Sequence, residues 1–247
     1  MLSLSNVSKR FGGVVAVDRV TLEIAAGEVH ALIGPNGAGK TTLIGQISGT
    51  VPCDEGTIAF RETDITRAKL HERVHAGLAR SYQITSIFRR FSVLDNLALA
   101  VQARSGSSFS FWRPVASERA LFDEARSIAQ QVNLESKLDA TASTLAHGEQ
   151  RALEVGLALA TRPKLVLLDE PMAGMGPEES RRMIELIGRI RAQVTVLLVE
   201  HDMDAVFRLA DRISVMVNGR LIATGAPDAI RSKPEVRKAY LGDELVA

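Results

Sequence analysis

The sequence predicts an α/β fold whose core is a mostly parallel sheet flanked by helices. Three short, mainly apolar runs are typical of strands that are covered on both faces of such a sheet. They are Val29–Ile33, Leu165–Leu168 and Thr195–Val199. A helical pattern over residues 177–192 separates the last two runs, as a right-handed crossover between parallel strands requires.

The N-terminal part of the chain predicts an antiparallel β-subdomain beside this core. Residues 1 to about 27 alternate between apolar and polar side chains, and Thr57–Phe60 adds another short strand. Near the other end, the dipeptide Asn218-Gly219 separates two strand-like runs, which indicates a hairpin with a type I′ turn. These elements extend the sheet structure beyond the three buried strands.

The middle of the chain has helical spacing instead. Four segments show it, at residues 68–78, 94–104, 117–133 and 149–161, and the tail from about 226 to 242 is also helical in pattern. We therefore predict three parts: a core with its β-subdomain over 1–83 and 162–225, a helical subdomain over 84–161, and a helical tail over 226–247.

Composition excludes several classes of protein. The net charge is +1, from 30 basic and 29 acidic residues. The chain therefore lacks the excess of positive charge that is typical of nucleic-acid-binding proteins. Cys53 is the single cysteine, so an internal disulfide and a multi-cysteine zinc site are ruled out and a reducing compartment is expected. We see no signal peptide and no apolar run of 18 residues. If the protein acts at a membrane, we therefore expect another chain to span it.

A glycine-rich loop is the strongest chemical signal. Residues 34–42, Gly-Pro-Asn-Gly-Ala-Gly-Lys-Thr-Thr, fit the phosphate-loop pattern G-x-x-x-x-G-K-[ST] between a strand and a helix start. Glycines let backbone N–H groups wrap a phosphate chain, and the helix N-terminus adds partial positive charge. Lys40 should reach the β- and γ-phosphates, and the Thr41 hydroxyl should hold Mg²⁺. The expected nucleotide-binding residues of this loop are Asn36, Gly37, Ala38, Gly39, Lys40, Thr41 and Thr42.

Two of the buried strands end in ionisable residues. Asp169-Glu170 follows the first and Glu200-His201-Asp202 follows the second, at the strand ends where open α/β sheets place ligand chemistry. Asp169 suits the surroundings of Mg²⁺, and Glu170 suits a base that activates water. A lone histidine is more often structural, but the position of His201 just past a second such strand end favours contact with the γ-phosphate.

Together these motifs resemble ABC-type ATPases, the nucleotide-binding subunits of transporters, over essentially the whole chain. Beside the phosphate loop, residues 145–151 lie where that family has its signature sequence, and 165–170 and 173–176 match its Walker B and D-loop segments. The resemblance implies that Gln83 senses Mg²⁺ and water, that His201 is the switch histidine, and that Phe11 stacks on adenine, unless Phe11 simply packs.

The resemblance also implies a composite site. Two cassettes, identical or paralogous, would each place Ala146, His147, Gly148 and Glu149 on the ATP bound by the other, while the helical block docks on transmembrane permease subunits. Ala146 departs from the family, which usually has serine there, so we expect weakened ATP-driven pairing. The chain would then act at the cytoplasmic face of the inner membrane, and indirectly with a substrate-binding protein.

Within that family the chain is most similar to ATPase subunits of branched-chain amino acid importers. The cues are the stretch His147–Arg151, the residues 170–177, the ending Ala239–Gly242 and the extra length around 104–116. Alternatives are cassettes for urea, amide or aromatic-acid uptake and, more distantly, lipopolysaccharide export. Phe109, Phe111 and Trp112 in that extra length could contact a partner or form a small satellite core.

Two other classes of ATPase or GTPase compete with a transport cassette. A non-transport ABC ATPase acting on DNA or ribosomes would need inserted coiled coils or a second phosphate loop, and neither is present. A small GTPase or nucleotide kinase would leave the signature and His201 unexplained, and no Asn-Lys-x-Asp guanine-binding motif occurs.

Overall fold

A computed structural model describes residues 1–81, 87–105 and 119–241. Its ten strands in these ranges are β1 (Leu2–Phe11), β2 (Val14–Ile24), β3 (Val29–Ile33), β4 (Glu55–Phe60), β5 (Thr63–Asp64), β6 (Leu78–Ser81), β7 (Leu165–Asp169), β8 (Thr195–Val199), β9 (Arg212–Val217) and β10 (Arg220–Gly225). The helices described in the same ranges are α1 (Lys40–Ser48), α2 (Leu70–Ala76), α3 (Val93–Ser105), α4 (Arg119–Gln131), α5 (His147–Ala160), α6 (Pro177–Ile190), α7 (Met203–Leu209), α8 (Pro227–Arg231) and α9 (Pro234–Leu241). None of these helices is long and apolar enough to cross a bilayer.

The core is a six-stranded sheet in the order β10-β9-β3-β8-β7-β6. Every neighbouring pair is parallel except β9 with β10, which form the predicted antiparallel hairpin. Strands β3, β7 and β8 are buried along their whole length, as their apolar sequences predict. The predicted α/β fold with a mostly parallel core sheet is confirmed.

A second, antiparallel sheet has the order β2-β1-β4-β5 and confirms the predicted β-subdomain. Helix α1 lies between the two sheets, because its apolar side chains share one core cluster with both of them. Alternate residues of the core strands divide between two faces: Leu165 and Leu167 of β7 face this cluster, whereas Val166 and Leu168 face the helical block. Helix α1, which follows the phosphate loop, is therefore held between the two sheets.

The described part of residues 84–161 consists mainly of α3, α4 and α5, which pack on the other face of β7 and β8. Arg104 of α3 links them, since its guanidinium donates to both carboxylate oxygens of Glu124 at 2.7 Å and to the Ala160 carbonyl at 2.8 Å. The division into subdomains at 83/84 and 161/162 stays a prediction.

Three details differ from the sequence prediction. The helix predicted over 68–78 ends at Ala76, and Leu78 already begins β6 at the edge of the core sheet. Helix α7 was not predicted; it begins where the Asp202 carboxylate accepts hydrogen bonds from the N–H groups of Asp204 and Ala205. The tail is two short helices rather than one, because Pro234 lacks the N–H that a continuous helix needs and instead begins α9.

His30 on β3 is a titratable group inside the core. Its ring is fully buried, with Nδ1 3.0 Å from Glu28 Oε1 and Nε2 2.8 Å from Ser214 Oγ. Burial lowers the pKa of His30, against the opposing effect of Glu28. The folded chain therefore binds a proton at His30 less tightly than the unfolded chain does. The free energy of unfolding has its full value above the ordinary histidine pKa of about 6.5 and decreases as the pH falls below it.

We expect the free energy of unfolding of the native chain to decrease between about pH 7 and pH 5.5, and the variant His30→Asn to flatten this dependence. Urea denaturation at a series of pH values measures it. The exposed His71 provides the control, since His71→Asn should leave the pH dependence as it is. Equal pH dependence in His30→Asn and the native chain would contradict the expectation.

Candidate functional site

The predicted phosphate loop connects β3 to α1 and is held tightly by neighbouring backbone. A Cβ on Gly34 would lie 2.1 Å from the carbonyl oxygen of Met216, and one on Gly39, whose φ is +102°, would lie 2.2 Å from that of Ala16. Only glycine fits at these two positions. The turn of the β9–β10 hairpin fastens the loop as well, because the Gly219 N–H donates to the Ala38 carbonyl and the Gly219 carbonyl accepts from the Asp18 N–H, both at 2.9 Å.

Lys40 lies inside this loop. The residue is 7% exposed, and its Nζ donates to the carbonyls of Gly34 at 2.6 Å and Pro35 at 3.0 Å. Burial lowers the pKa of Lys40, while the charges of Glu170 and Asp169 act in the opposite direction. The predicted phosphate-binding cation therefore lies close to both predicted carboxylates. Among the other loop residues, Asn36, Gly37 and Thr41 are exposed and Ala38 is buried.

Asp169 ends β7 and is buried, at 3% exposure. Its Oδ2 accepts a hydrogen bond of 2.9 Å from Arg80 Nη2, in an ion pair whose two side chains are almost wholly enclosed. Arg80 also donates to the hydroxyls of Ser48 at 3.3 Å and Thr50 at 3.4 Å. Sequence alone does not indicate a role for Arg80, because a single arginine in a four-residue strand carries no local signal of its partner.

Glu170 and His201 lie together just beyond the ends of β7 and β8. The Glu170 N–H donates to the Val199 carbonyl at 2.9 Å, which continues the pairing of these strands by one residue. The distance from Glu170 Oε1 to His201 Nδ1 is 3.9 Å. Glu170 has a left-handed φ of +49°, a conformation that costs a non-glycine residue about 1 kcal/mol and that is found preferentially at functional sites.

The signature segment forms the N-terminus of α5. Ala146 and His147 are exposed, and Glu149 accepts a hydrogen bond of 3.0 Å from the Ala146 N–H. The Gly148 N–H, which we expected to face a phosphate, donates instead to Glu179 Oε1 at 3.1 Å. The second oxygen of Glu179 accepts from the Gly176 N–H at 3.3 Å, so one carboxylate joins the N-termini of α5 and α6. An incoming phosphate would have to displace the Glu179 carboxylate from the Gly148 N–H.

The remaining predicted residues fall into two groups. Phe11 lies at the end of β1 and is 52% exposed, with Lys9 Nζ 5.4 Å from its ring centroid, so its ring is accessible rather than packed in the core. Gln83 and the aromatic residues Phe109, Phe111 and Trp112 lie outside the described residues.

A comparison with protein families decides what these features belong to. The family model described as "ABC transporter" matches residues 17–173, which include the phosphate loop, the signature segment and the strand that ends in Asp169. The chain belongs to the ABC transporter family. It is an ATP-binding cassette, and it hydrolyses ATP to drive transport.

Relatives support this over the whole length of the cassette. The chain is 37% identical over 250 residues to the high-affinity branched-chain amino acid transport ATP-binding protein LivG of Salmonella typhimurium, with 98% of each chain covered. It is 35% identical to the lipopolysaccharide export system ATP-binding protein LptB of Escherichia coli, covering 99% of this chain and 98% of that one. A crystal structure of an ABC transporter cassette in its ADP conformation matches with a TM-score of 0.87 and 31% identity, covering 98% and 99%.

We expect Arg80→Met to lower the free energy of unfolding by about 3 kcal/mol, because it leaves the buried Asp169 charge without its ion pair. Urea denaturation of the two proteins measures the difference. The exposed pair Arg126–Asp123 gives the matched control, since Arg126→Met should change stability by no more than about 0.5 kcal/mol. Equal effects of the two substitutions would contradict the importance of the buried pair.

Proposed function

We propose that this cassette binds ATP with Mg²⁺ and powers the import of branched-chain or other small amino acids. The observation that carries the catalytic part is the convergence of Lys40, Asp169, Glu170 and His201 at the carboxyl edge of the core sheet. In such sheets, ligands bind outside the carboxyl ends of the strands.

The choice of solute has its support in the comparisons. A second family model, "Branched-chain amino acid ATP-binding cassette transporter", matches residues 220–246, and LivG is named for the same substrates. The likeness to LptB keeps an export cassette as the second candidate. The C-terminal match favours the amino acid importer, and cassettes for urea, amide or aromatic-acid uptake remain alternatives within the import class.

Each predicted site residue has a task suited to its chemistry. The loop N–H groups and Lys40 bind the phosphates. The Thr41 hydroxyl, Asp169 and Gln83 offer the oxygen ligands that Mg²⁺ prefers, and the ion would neutralise phosphate charge. Glu170 accepts a proton from the water that attacks the γ-phosphorus as the bond to ADP breaks, and His201 holds the γ-phosphate.

A second cassette completes the site in this proposal. Residues Ala146–Glu149 of one chain would contact the ATP bound by the other, in a dimer of identical or paralogous cassettes. Transmembrane permease subunits would dock beside the helical block, where Phe88 and Phe91 are 57% and 44% exposed and stack with ring centroids 5.5 Å apart. The complex would lie at the cytoplasmic face of the inner membrane and receive its solute from a substrate-binding protein.

We expect Glu170→Gln to lower the rate of ATP hydrolysis by about 100-fold or more, because glutamine cannot take the proton from water. The affinity for ATP should stay within about twofold, since the loop at 34–42 is unchanged. Phosphate release and equilibrium nucleotide binding measure the two effects. Glu178→Gln, at a carboxylate whose side chain is 58% exposed, is the control. Retained hydrolysis in Glu170→Gln would refute Glu170 as the base.

We expect Ala146→Ser to tighten ATP-dependent dimerisation by about tenfold or more. A hydrogen bond from the added hydroxyl to a charged phosphate contributes about 1.5–3 kcal/mol. Sedimentation with ATP in the hydrolysis-deficient Glu170→Gln background measures it. Serine also caps a helix, so Ala226→Ser at the N-terminus of α8 is the matched control for that effect alone. An unchanged dimerisation constant would contradict the proposed contact.

A further inference from the structure

Glu200 is a buried carboxylate between the two loops that carry Glu170 and His201. It follows the last residue of β8, directly before His201, and is 1% exposed. Its position in the sequence alone indicates no role for it. Enclosing a charge in this way is costly unless hydrogen bonds compensate for the lost water, so its partners indicate what it is for.

Those partners are backbone N–H groups from both loops. Oε1 accepts from the Met172 N–H at 2.9 Å, and Oε2 accepts from the His201 N–H at 3.1 Å. Met172 lies two residues after Glu170, so the bond to it holds the segment that follows the predicted base. One carboxylate therefore ties the backbone of the Glu170 loop to the backbone of the His201 loop.

The kind of partner distinguishes Glu200 from an ordinary buried ion pair. Asp169, one strand away, is neutralised by Arg80. Among the described residues, Glu200 has only the neighbouring His201 ring at ion-pair distance, with Nδ1 4.0 Å from Oε2. Burial raises the pKa of Glu200, and the N–H groups of Met172, His201 and Asp202 oppose that rise. The carboxylate is thus held by main-chain donors of the site itself.

We propose that Glu200 is a positioning residue for hydrolysis: its carboxylate fixes the Glu170 loop against the His201 loop, and so sets where the base lies relative to the γ-phosphate contact. Glu200 touches neither nucleotide nor water in this role. The inference rests on the proposed function of Glu170 and His201, and it adds the residue that holds these two side chains 3.9 Å apart.

The variant Glu200→Gln tests this with almost no change in shape. A carboxamide carries one oxygen and one NH₂ group, so it cannot replace both carboxylate oxygens, and either the Met172 N–H or the His201 N–H is left facing an NH₂ group. We expect kcat for ATP hydrolysis to fall at least tenfold, while KM and the Kd of a non-hydrolysable ATP analogue stay within twofold. Glu200→Asp keeps the charge but is one methylene shorter, and should give an intermediate kcat.

A matched control is available at the other end of the same sheet. Glu28, just before β3, also has an enclosed carboxylate, 10% exposed, and also accepts a backbone N–H, that of Ala25 at 3.0 Å. Glu28→Gln should lower stability without lowering kcat. An equal loss of kcat in Glu28→Gln and Glu200→Gln, or a loss in Glu200→Gln matched by weaker nucleotide binding, would overturn a positioning role.

Hydrogen exchange without nucleotide tests the tie itself. In Glu200→Gln the Met172 amide should exchange at least tenfold faster than in the native chain, and the loop at 34–42 should exchange as before. Unchanged protection of Met172 in both Glu200→Gln and the shorter Glu200→Asp, or a kcat within twofold of native in both, would overturn the proposal. If Glu200→Gln does not fold, Glu200→Asp provides the same measurements. If the native chain does not hydrolyse ATP, the proposed function is refuted. Hydrogen exchange at Met172 would still show whether Glu200 holds the two loops together.

Discussion

Parallel pairing of β3, β7 and β8 is the constraint on which the site depends. The registers place Leu32 beside Val199 and Asp169 beside Val199, so the three strands end at one level. At this edge, β3 is followed by the phosphate loop, β7 by Glu170, and β8 by Glu200 and His201. Because a shift by one residue would turn every side chain to the opposite face, the hydrophobic packing on both faces fixes the relative positions of the reacting groups.

Three charged groups in the described part of the chain are buried at this edge, and each is stabilised by a different kind of partner. Carbonyl groups of its own loop surround Lys40, an arginine from β6 pairs with Asp169, and backbone N–H groups from two loops bind Glu200. Electrostatic interactions are strong where water is excluded, so these arrangements also resist rearrangement. The buried charged groups and their partners therefore hold the backbone around Glu170 and His201 in place. The side chains of these two residues are themselves more accessible, at 24% and 62% exposure.

The sequence predicts those parts of the cassette whose signal is local. Strands β3, β7 and β8 are mainly apolar, and the glycine-rich loop has a fixed spacing, so both could be recognised from neighbouring residues alone. Strand β6 could not, because it is four residues long and contains Arg80 and Ser81. Arg80 and Glu200 were missed for a related reason: their partners lie 89 and 28 residues away, and only the folded sheet brings them together.

The contact of Gly148 with Glu179 shows the same limit, since it joins residues 31 positions apart. A helix N-terminus predicted from sequence presents its N–H groups to whatever anion is near, and a carboxylate from another helix is such an anion. Sequence alone places the donor group but not its partner in the folded chain.

The β9–β10 turn has a practical consequence for protein engineering. A short exposed hairpin is ordinarily a convenient place to insert an affinity tag, a fluorophore or a grafted peptide. In this cassette Gly219 of that turn is bonded on one side to Ala38 in the phosphate loop and on the other to Asp18 of β2. An insertion there would be transmitted into the nucleotide site, so fusions and labels belong on another surface.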